Sequence, residues 1–285
     1  MAAGPISHVS DTARWVAVYR AMETDRPDAL FRDPYARRLA GDKGAAIVKT
    51  MRRARGWAWP HIVRTALFDE LILRCVAEGA DAVLNLAAGL DARAWRLDLP
   101  ASLTWVEVDY PDMLDYVRRE LAAERPRCVV QWEPADLADA AQRSALFARV
   151  GAAHRKVVVV AEGLLIYLKP EQVGALADDL HAQPVFHRWV LDIASPRLLK
   201  MMQRSTRAHM AQGNAEFRFA PAENTAFFAP HGWKELEFRS SWLEAVRLKR
   251  LPAFYHLFRP LALLRSRKKR AEWDRFAGCA LMARS

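Results

Sequence analysis

Acidic side chains follow three short apolar segments of the chain, and their positions suit the binding of a nucleoside. They are Asp109, Asp136 and Glu162. A carboxylate at the tip of a strand can accept hydrogen bonds from both hydroxyls of a ribose, and a second can accept one from an exocyclic amine. A third, directly after an apolar strand, is costly to bury without a cationic partner. Together they fit a ligand with a ribose, an adenine and a positively charged amino-acid end.

A turn of small residues precedes these acids. Residues 83–91 read VLNLAAGLD, an apolar segment that ends in small residues around Gly89. Small residues let a backbone approach a ligand closely, and Asp109 comes 20 residues after Gly89. Because Gly89 is the single glycine of this turn, the dinucleotide pattern G-x-G-x-x-G is absent, and so is the phosphate-binding pattern G-x-x-x-x-G-K-[ST]. The pattern therefore argues against a nicotinamide dehydrogenase and against a triphosphate ligand.

Each acid also has a purely structural explanation. Asp109 and Asp136 could each cap the helix that follows, a common role for Asp. Glu162 could form an ion pair with one of the many arginines. The spacing from Gly89 favours ribose binding for Asp109, whereas both roles stay open for Asp136.

Strands and helices must alternate to bring these acids together. Apolar segments at 81–87, 103–108, 127–132, 156–161 and 187–193 alternate with helical patterns at 112–124, 138–150 and 171–183. Such alternation predicts parallel βαβ units, whose strand tips share one edge. Helices are predicted at 12–22 and 64–78. Strand patterns near 234–238 and 276–282 predict a seven-stranded sheet with a terminal hairpin.

Charge and composition narrow the class of partner. The chain has 43 Lys and Arg against 33 Asp and Glu, a net charge of +10, which favours anionic partners. The densest basic cluster, at 265–270, is predicted to be a solvated surface because no nucleic-acid-binding motif accompanies it. Three separated cysteines outside any C-x-x-C pattern suggest neither disulfides nor zinc. Without an apolar run of roughly 18 residues or a secretory signal, a soluble cytoplasmic protein is expected.

Several ordered motifs resemble the leucine carboxyl methyltransferase family and its bacterial small-molecule relatives. The resemblance rests on NLAAGLDARAWRL at 85–97, EVDYP at 107–111 and AEGLLIYL at 161–168, with LFRDPYA at 30–36 and RTALFD at 64–69 upstream. That family consists of enzymes that depend on S-adenosylmethionine. The resemblance implies an α/β, class I methyltransferase fold. Its parts are a Rossmann-like, mostly parallel seven-stranded sheet, a helical N-terminal extension and a helical insertion as a lid.

The resemblance also implies roles for individual residues. Arg64 would hold the carboxylate of the cofactor through its planar fork, and Glu162 would lie near the methionyl end. Asp109 would bind the ribose, and Asp136 with Leu137 would hold the adenine. Arg20 is a further candidate for a cofactor contact. The predicted cofactor-binding residues are Arg64, Ala87, Gly89, Asp109, Tyr110, Asp136, Leu137, Glu162 and Gly163.

The whole chain is predicted to form one domain, with an N-terminal extension at 1–79, a cofactor-binding core at 80–195, a lid at 196–230 and C-terminal strands at 231–285. The candidate catalytic residues are Tyr167 and His209. The lid also offers possible substrate contacts, namely Arg204, Arg207, Arg218 and Phe217.

The predicted activity is O-methylation of a small anionic or phenolic metabolite. A carboxylate acceptor needs no base, whereas a hydroxyl must lose its proton. Metal, membrane and nucleic acid are not expected as partners. An RNA methyltransferase and a non-catalytic nucleotide-binding module on the same fold remain as alternatives.

Overall fold

A seven-stranded sheet lies at the centre of the protein. The computed structural model describes residues 10–50, 58–210, 216–252 and 266–285. The strands are β1 Ala82–Leu86, β2 Thr104–Asp109, β3 Val129–Pro134, β4 Val157–Ala161, β5 Phe186–Ala194, β6 Trp233–Ser240 and β7 Ala277–Arg284. Their order across the sheet is β3-β2-β1-β4-β5-β7-β6. Neighbouring strands from β3 to β5 are parallel, whereas β7 is antiparallel to both β5 and β6.

The described α-helices lie on both faces of this sheet and at its edges. They are α1 Ser10–Thr24, α2 Ala36–Thr50, α3 Ala58–Ala77, α4 Arg93–Arg96, α5 Pro111–Glu120, α6 Ala140–Ala153, α7 Pro170–His181, α8 Pro196–Met210, α9 Ser241–Arg247 and α10 Arg267–Asp274. Two 3-10 helices occupy Leu165–Tyr167 and Asn224–His231. Within the described ranges, none of these helices combines the length and apolarity that crossing a membrane requires.

The β-branched run of β4 explains why this strand is central. All five of its residues are buried, as expected for a parallel strand covered on both faces. Val158 and Val160 pack in the core beneath α3 and α5, whereas Val157 and Val159 pack in the opposite core beneath α6 and α7. The alternation of a strand's side chains thus joins two hydrophobic cores through one sheet.

The predicted strands are confirmed, each within two residues of its observed ends. The terminal hairpin is wrong in one respect: β6 and β7 do pair, but α9 and α10 lie between them in the chain. Antiparallel neighbours therefore arise without a tight turn.

Helix α2 was not among the predicted elements. Its sequence, ARRLAGDKGAAIVKT, contains two glycines, and Gly41 has a non-helical φ of 61°. Glycine lowers helix propensity by about 1 kcal/mol relative to alanine, so the pattern is weak. The helix is instead held by tertiary packing against α1, in a core that includes Trp15, Tyr19 and Ile47.

Candidate functional site

The loop after β1 forms a tight turn beneath helix α1. Ala87 and Gly89 both have positive φ, 50° and 58°. The Gly89 N–H donates a hydrogen bond of 2.7 Å to Asp109 Oδ2 at the end of β2. A Cβ atom built on Gly89 would lie 3.2 Å from the Cβ of Ala13 in α1. Two features of the turn therefore favour glycine at position 89, namely its left-handed backbone conformation and the close approach of α1.

Asp109 does not cap the helix that follows it. Helix α5 begins at Pro111, and its N-cap residue, Tyr110, makes no side-chain capping bond. Besides the Gly89 N–H, the Asp109 carboxylate accepts from the Tyr110 N–H at 2.7 Å through Oδ1. Both of these donors are backbone N–H groups, and an ionised carboxylate accepts such bonds through either oxygen.

Asp136 likewise leaves helix capping to another residue. Asp139 caps α6 by accepting from the N–H groups of Ala141 and Gln142. Asp136 Oδ1 accepts from the Ala138 N–H at 2.9 Å and from the Tyr110 hydroxyl at 3.4 Å. The structure therefore joins the tips of β2 and β3 through Tyr110, which is 45% exposed. Leu137 is half-buried and packs against the core beneath α6 and α7.

Arg64 of α3 reaches the tips of β4 and β5 and is held there by two carboxylates. Its Nε donates to Glu162 Oε1 at 3.0 Å, and its Nη1 donates to Asp192 Oδ2 at 3.1 Å. Gly163 has a φ of 68°, and a Cβ atom there would lie 3.4 Å from Arg64 Nη2. The guanidinium therefore lies against a residue that lacks a side chain.

A second arginine, Arg93 of α4, links Glu162 to the interior. It donates to Asp69 at 2.7 Å, to Asp91 at 2.6 Å and to Glu162 Oε2 at 2.7 Å. Arg96 contacts the same Asp69 through both terminal nitrogens, each at 2.7 Å. The result is a continuous chain of alternating charges from the core to the strand tips.

These contacts fix the charges at the site. Burial by itself would raise the pKa of Glu162, but the positive charges of Arg93 and Arg64 outweigh it and lower that pKa to about 2. Burial would lower the pKa of Arg64, but the negative charges of Asp192 and Glu162 raise it above its usual value. Glu162 is therefore a carboxylate and Arg64 a cation at neutral pH. Both proposed explanations of Glu162 are compatible with this, because an ion pair at a strand tip can still face a ligand.

The sequence model of the leucine carboxyl methyltransferase family matches residues 13–181, more than half of the chain. The chain belongs to the leucine carboxyl methyltransferase family. The matched region contains every strand tip from β1 to β4, while Asp192 and the lid lie beyond it.

Two bacterial relatives carry the name "Putative S-adenosyl-L-methionine-dependent methyltransferase". One, from Mycobacteroides abscessus, is 37% identical over 191 residues, which cover 61% of this chain and 61% of the relative. The match thus spans about three fifths of that relative's length. The other, from Mycobacterium tuberculosis, is 34% identical over 250 residues, covering 79% of this chain and 77% of the relative.

A solved structure supports the fold. The crystal structure of a DUF574 family protein from Streptomyces avermitilis superposes with a TM-score of 0.62 at 14% identity, covering 96% of this chain and 97% of that one. At this identity the likeness shows the class I fold alone. The sheet order and the single antiparallel strand beside β5 agree with it.

The donor set of this leucine carboxyl methyltransferase family member suits an adenosyl amino acid. The site combines a cation at the tips of β4 and β5, an anion at the tip of β2, and a glycine turn between them. Among the residues that the structure describes, no group of three or more His, Cys, Asp or Glu is arranged to hold a metal ion.

Arg20 has partners within the protein. Its Nε donates to Asp33 at 2.8 Å, and its Nη2 donates to the Leu90 carbonyl at 2.5 Å. Arg96 also lies 3.8 Å from Asp33. Arg20 thus ties α1 to the loop after β1, and a cofactor contact by Arg20 stays a prediction.

An apolar cluster joins the 3-10 helix Leu165–Tyr167 to α8 and to Phe217. Tyr167 and Phe217 have ring centroids 5.4 Å apart, and Phe217 packs with Ile166, Leu199 and Met202. Burial raises the pKa of Tyr167, so its hydroxyl stays protonated at neutral pH. Tyr167 can therefore donate a hydrogen bond but is poorly suited to remove a proton.

The remaining lid candidates are less defined. The backbone of His209 lies in the last turn of α8, but its side chain and that of Arg207 lie outside the described residues. Arg204 is exposed, and Arg218 pairs with Glu216 at 3.3 Å. The structure thus brings Tyr167 and Phe217 together, and the roles of His209 and the lid arginines stay predictions.

Two site residues were missed by the sequence reasoning, Asp192 and Arg93. Asp192 follows the apolar residues Trp189 to Leu191 near the end of β5, the same kind of signal that drew attention to Asp109 and Glu162. Arg93 stands two residues after Asp91, but no spacing rule connects it to Asp69 or Glu162, which are distant in the chain.

We expect Gly89→Ala to lower both stability and cofactor affinity. An alanine there must adopt a left-handed conformation, which costs about 1–2 kcal/mol, and its Cβ meets Ala13 at 3.2 Å. Gly79→Ala is the matched control, because Gly79 also has positive φ (93°) but its nearest neighbour, Lys156 Nζ, is 3.9 Å away. Thermal unfolding and calorimetry should show that both variants lose stability and that only Gly89→Ala loses affinity. Equal affinities would contradict the turn's role.

His61 should make folding sensitive to acid. Its ring stacks on Tyr19 with centroids 5.4 Å apart, and burial, aided by the charge of Arg64, lowers its pKa to about 3. Between pH 6.5 and 3 the unfolded chain therefore carries a proton on His61 that the folded chain lacks, so the free energy of unfolding falls as pH is lowered. Denaturant unfolding measures the free energy of unfolding at pH 7.5 and at pH 5.0. We expect the decrease between the two pH values to be about 1–2 kcal/mol smaller in His61→Asn than in the unmodified protein. Identical drops would refute this.

Proposed function

We propose that the protein transfers a methyl group from S-adenosylmethionine to an oxygen of a small anionic or phenolic acceptor. The observation that carries the proposal is the Arg64 guanidinium, which is held between Glu162 and Asp192 and whose charge acts on Tyr167. Tyr167 belongs to the apolar cluster around Phe217, so a cation that could hold an amino-acid carboxylate lies within electrostatic reach of an apolar cluster.

The cofactor would be bound by residues at four strand tips. Arg64 would hold its carboxylate and Asp109 its ribose hydroxyls. Asp136 and Leu137 would hold the adenine, and the turn at Gly89, with Ala87, would pass close to the methionine part. When bound, S-adenosylmethionine supplies an electrophilic methyl group on a sulfonium. The chain would orient the cofactor and exclude water from it. Helix α1 would contribute to this exclusion because it covers the Gly89 turn.

The acceptor would lie against the lid. Two hydrogen bonds attach the lid to the 3-10 helix Leu165–Tyr167, because the N–H groups of Arg218 and Phe219 donate to the Ile166 carbonyl at 2.7 Å and 3.2 Å. Within the lid, Gln203 Nε2 donates to the Phe217 carbonyl at 2.7 Å. The exposed side chains of Arg197, Lys200 and Arg204 add positive charge to the same helix. An apolar wall beneath a basic surface favours an acceptor with both an apolar body and a negative charge.

The protonation of Tyr167 favours an acceptor that arrives already ionised. Its raised pKa leaves it neutral, so it can orient an anion by donating a hydrogen bond. A carboxylate or an acidic phenol needs no proton removal, whereas an aliphatic alcohol needs a base. We therefore place carboxylates and acidic phenols ahead of alcohols.

Transfer of a radiolabelled methyl group tests the proposal. Matched pairs of acceptors are compared: an aromatic carboxylic acid with its amide, and an acidic phenol with its methyl ether. We expect label in the acid or the phenol and none in its partner. Mild alkali then releases the label from a methyl ester but not from a methyl ether. Label that appears only in added RNA, or only on nitrogen, would overturn the proposal.

A further inference from the structure

Asp192 makes two contacts at the tip of β5 that no other described residue duplicates. Its Oδ2 accepts from Arg64 Nη1 at 3.1 Å, and its Oδ1 accepts from the Gly163 N–H at 2.6 Å. One carboxylate thus connects the arginine of α3 to the turn after β4. The side chain is only 22% exposed, so both bonds are partly shielded from water.

The geometry leaves one edge of the Arg64 guanidinium available. A guanidinium has five N–H donors, and the contacts to Glu162 and Asp192 use Nε and one hydrogen of Nη1. Nη2 makes no hydrogen bond to any described residue, and it lies against Gly163, where a Cβ atom would be 3.4 Å away. The donors that remain, on Nη2 and one hydrogen of Nη1, both belong to nitrogens of the Nη1–Nη2 edge, where a carboxylate could accept two bonds.

We propose that Asp192 is a positioning residue that holds Arg64 so that this edge receives the carboxylate of the cofactor. It acts through Arg64 and through the left-handed turn at Gly163. Without Asp192, the guanidinium would keep the bond from Nε to Glu162 but could rotate about it. This inference rests on the proposed binding of S-adenosylmethionine, and it makes the enzyme selective for a cofactor that carries an amino-acid carboxylate.

A positioning role and a simple charge effect predict opposite results. If Asp192 only added negative charge, its removal would relieve repulsion of the cofactor's carboxylate and would strengthen the preference for that group. If Asp192 positions Arg64, its removal weakens the preference, because the donors lose their alignment. The sign of the change therefore separates the two explanations.

The test measures dissociation constants by calorimetry for S-adenosylmethionine and for its decarboxylated analogue, at 0.15 M salt to screen distant charges. We expect Asp192→Asn to reduce the preference for the carboxylate-bearing cofactor about tenfold, the effect of losing one charge-assisted hydrogen-bonded arrangement. Asp179→Asn is the matched control. Asp179 also pairs with a buried arginine, Arg143 at 2.7 Å, and is 28% exposed. Because its partner is Arg143 and not Arg64, the Asp179→Asn variant should keep the preference for the carboxylate-bearing cofactor.

Each further outcome has a distinct meaning. An unchanged or increased preference in Asp192→Asn would overturn the proposal. Arg64→Met should abolish the preference, and if it does not, Arg64 does not hold the carboxylate and the proposal for Asp192 is overturned with it. Acceptor methylation plays no part in this measurement, so a wrong acceptor class leaves the result intact. Should Asp192→Asn unfold, Asp192→Glu retains the charge but displaces it, and a reduced preference is again expected.

Discussion

Replacing Arg93 by methionine is expected to lower the free energy of unfolding by about 3–5 kcal/mol, the effect of leaving buried charges without their partner. Arg93 is 3% exposed and donates to Asp69, Asp91 and Glu162 at 2.6–2.7 Å. Its loss leaves Asp91 and Glu162 without their shared cation. Denaturant-induced unfolding of the two proteins measures the difference.

Arg74→Met provides the control for this experiment. Arg74 also forms an ion pair, with Glu237 at 2.7 Å, but the two side chains are 41% and 34% exposed. Solvent screens such a pair, so its loss should change stability by at most about 1 kcal/mol. If Arg93→Met were as stable as Arg74→Met, the alternating chain of charges would not support the site as described.

Asp109→Asn is expected to weaken the binding of S-adenosylmethionine by about 1–3 kcal/mol, which corresponds to roughly five- to 150-fold. The carboxylate receives the Gly89 N–H through one oxygen at 2.7 Å and the Tyr110 N–H through the other at 2.7 Å. In the asparagine variant one of these N–H groups faces an amide NH2 instead, and fewer acceptor positions remain for the ribose. The shape of the side chain is preserved, so the fold should survive.

The control for Asp109 is Asp139→Ala, one strand further along the edge. Asp139 caps α6 by accepting from the N–H groups of Ala141 and Gln142, and loss of a cap costs about 1 kcal/mol of stability. Calorimetry should find its cofactor affinity unchanged. If Asp109→Asn also left the affinity for the cofactor unchanged, Asp109 would not bind the ribose.

The sheet was predictable because its evidence is local. The β-branched run Val157–Val160 identifies a buried strand without knowledge of its neighbours, and the alternation with helices fixes the parallel arrangement. Helix α2 could not be predicted in this way. Its glycines weaken the local pattern, and its stability comes from α1, a contact that no local window contains.

The site residues also fall into those that the local sequence reveals and those that depend on tertiary contacts. Gly89, Asp109 and Glu162 are each next to a strand tip, so the sequence places them on one edge as soon as the strands are known. Arg93 joins three carboxylates that lie 24, 2 and 69 residues away in the chain, and such pairing depends on tertiary geometry. Asp192 falls between these cases, because its position after the apolar residues Trp189 to Leu191 is visible in the sequence, whereas its contact with Arg64 is not.

The lid is the part that sequence motifs describe least. The family match ends at residue 181, before α8 begins at Pro196. Tyr167 and Phe217 meet only because the chain after α8 returns to the 3-10 helix, where the Arg218 N–H donates to the Ile166 carbonyl. The proposed acceptor class therefore rests on the chemistry of this apolar cluster and of the basic residues of α8.

A crystal structure with S-adenosylhomocysteine is the most direct test of where the cofactor binds. We predict that its ribose hydroxyls contact Asp109, that its carboxylate contacts the terminal nitrogens of Arg64, and that its adenine lies beside Asp136 and Leu137. A ligand bound at any other edge of the sheet, or one whose carboxylate points away from Arg64, would contradict the account.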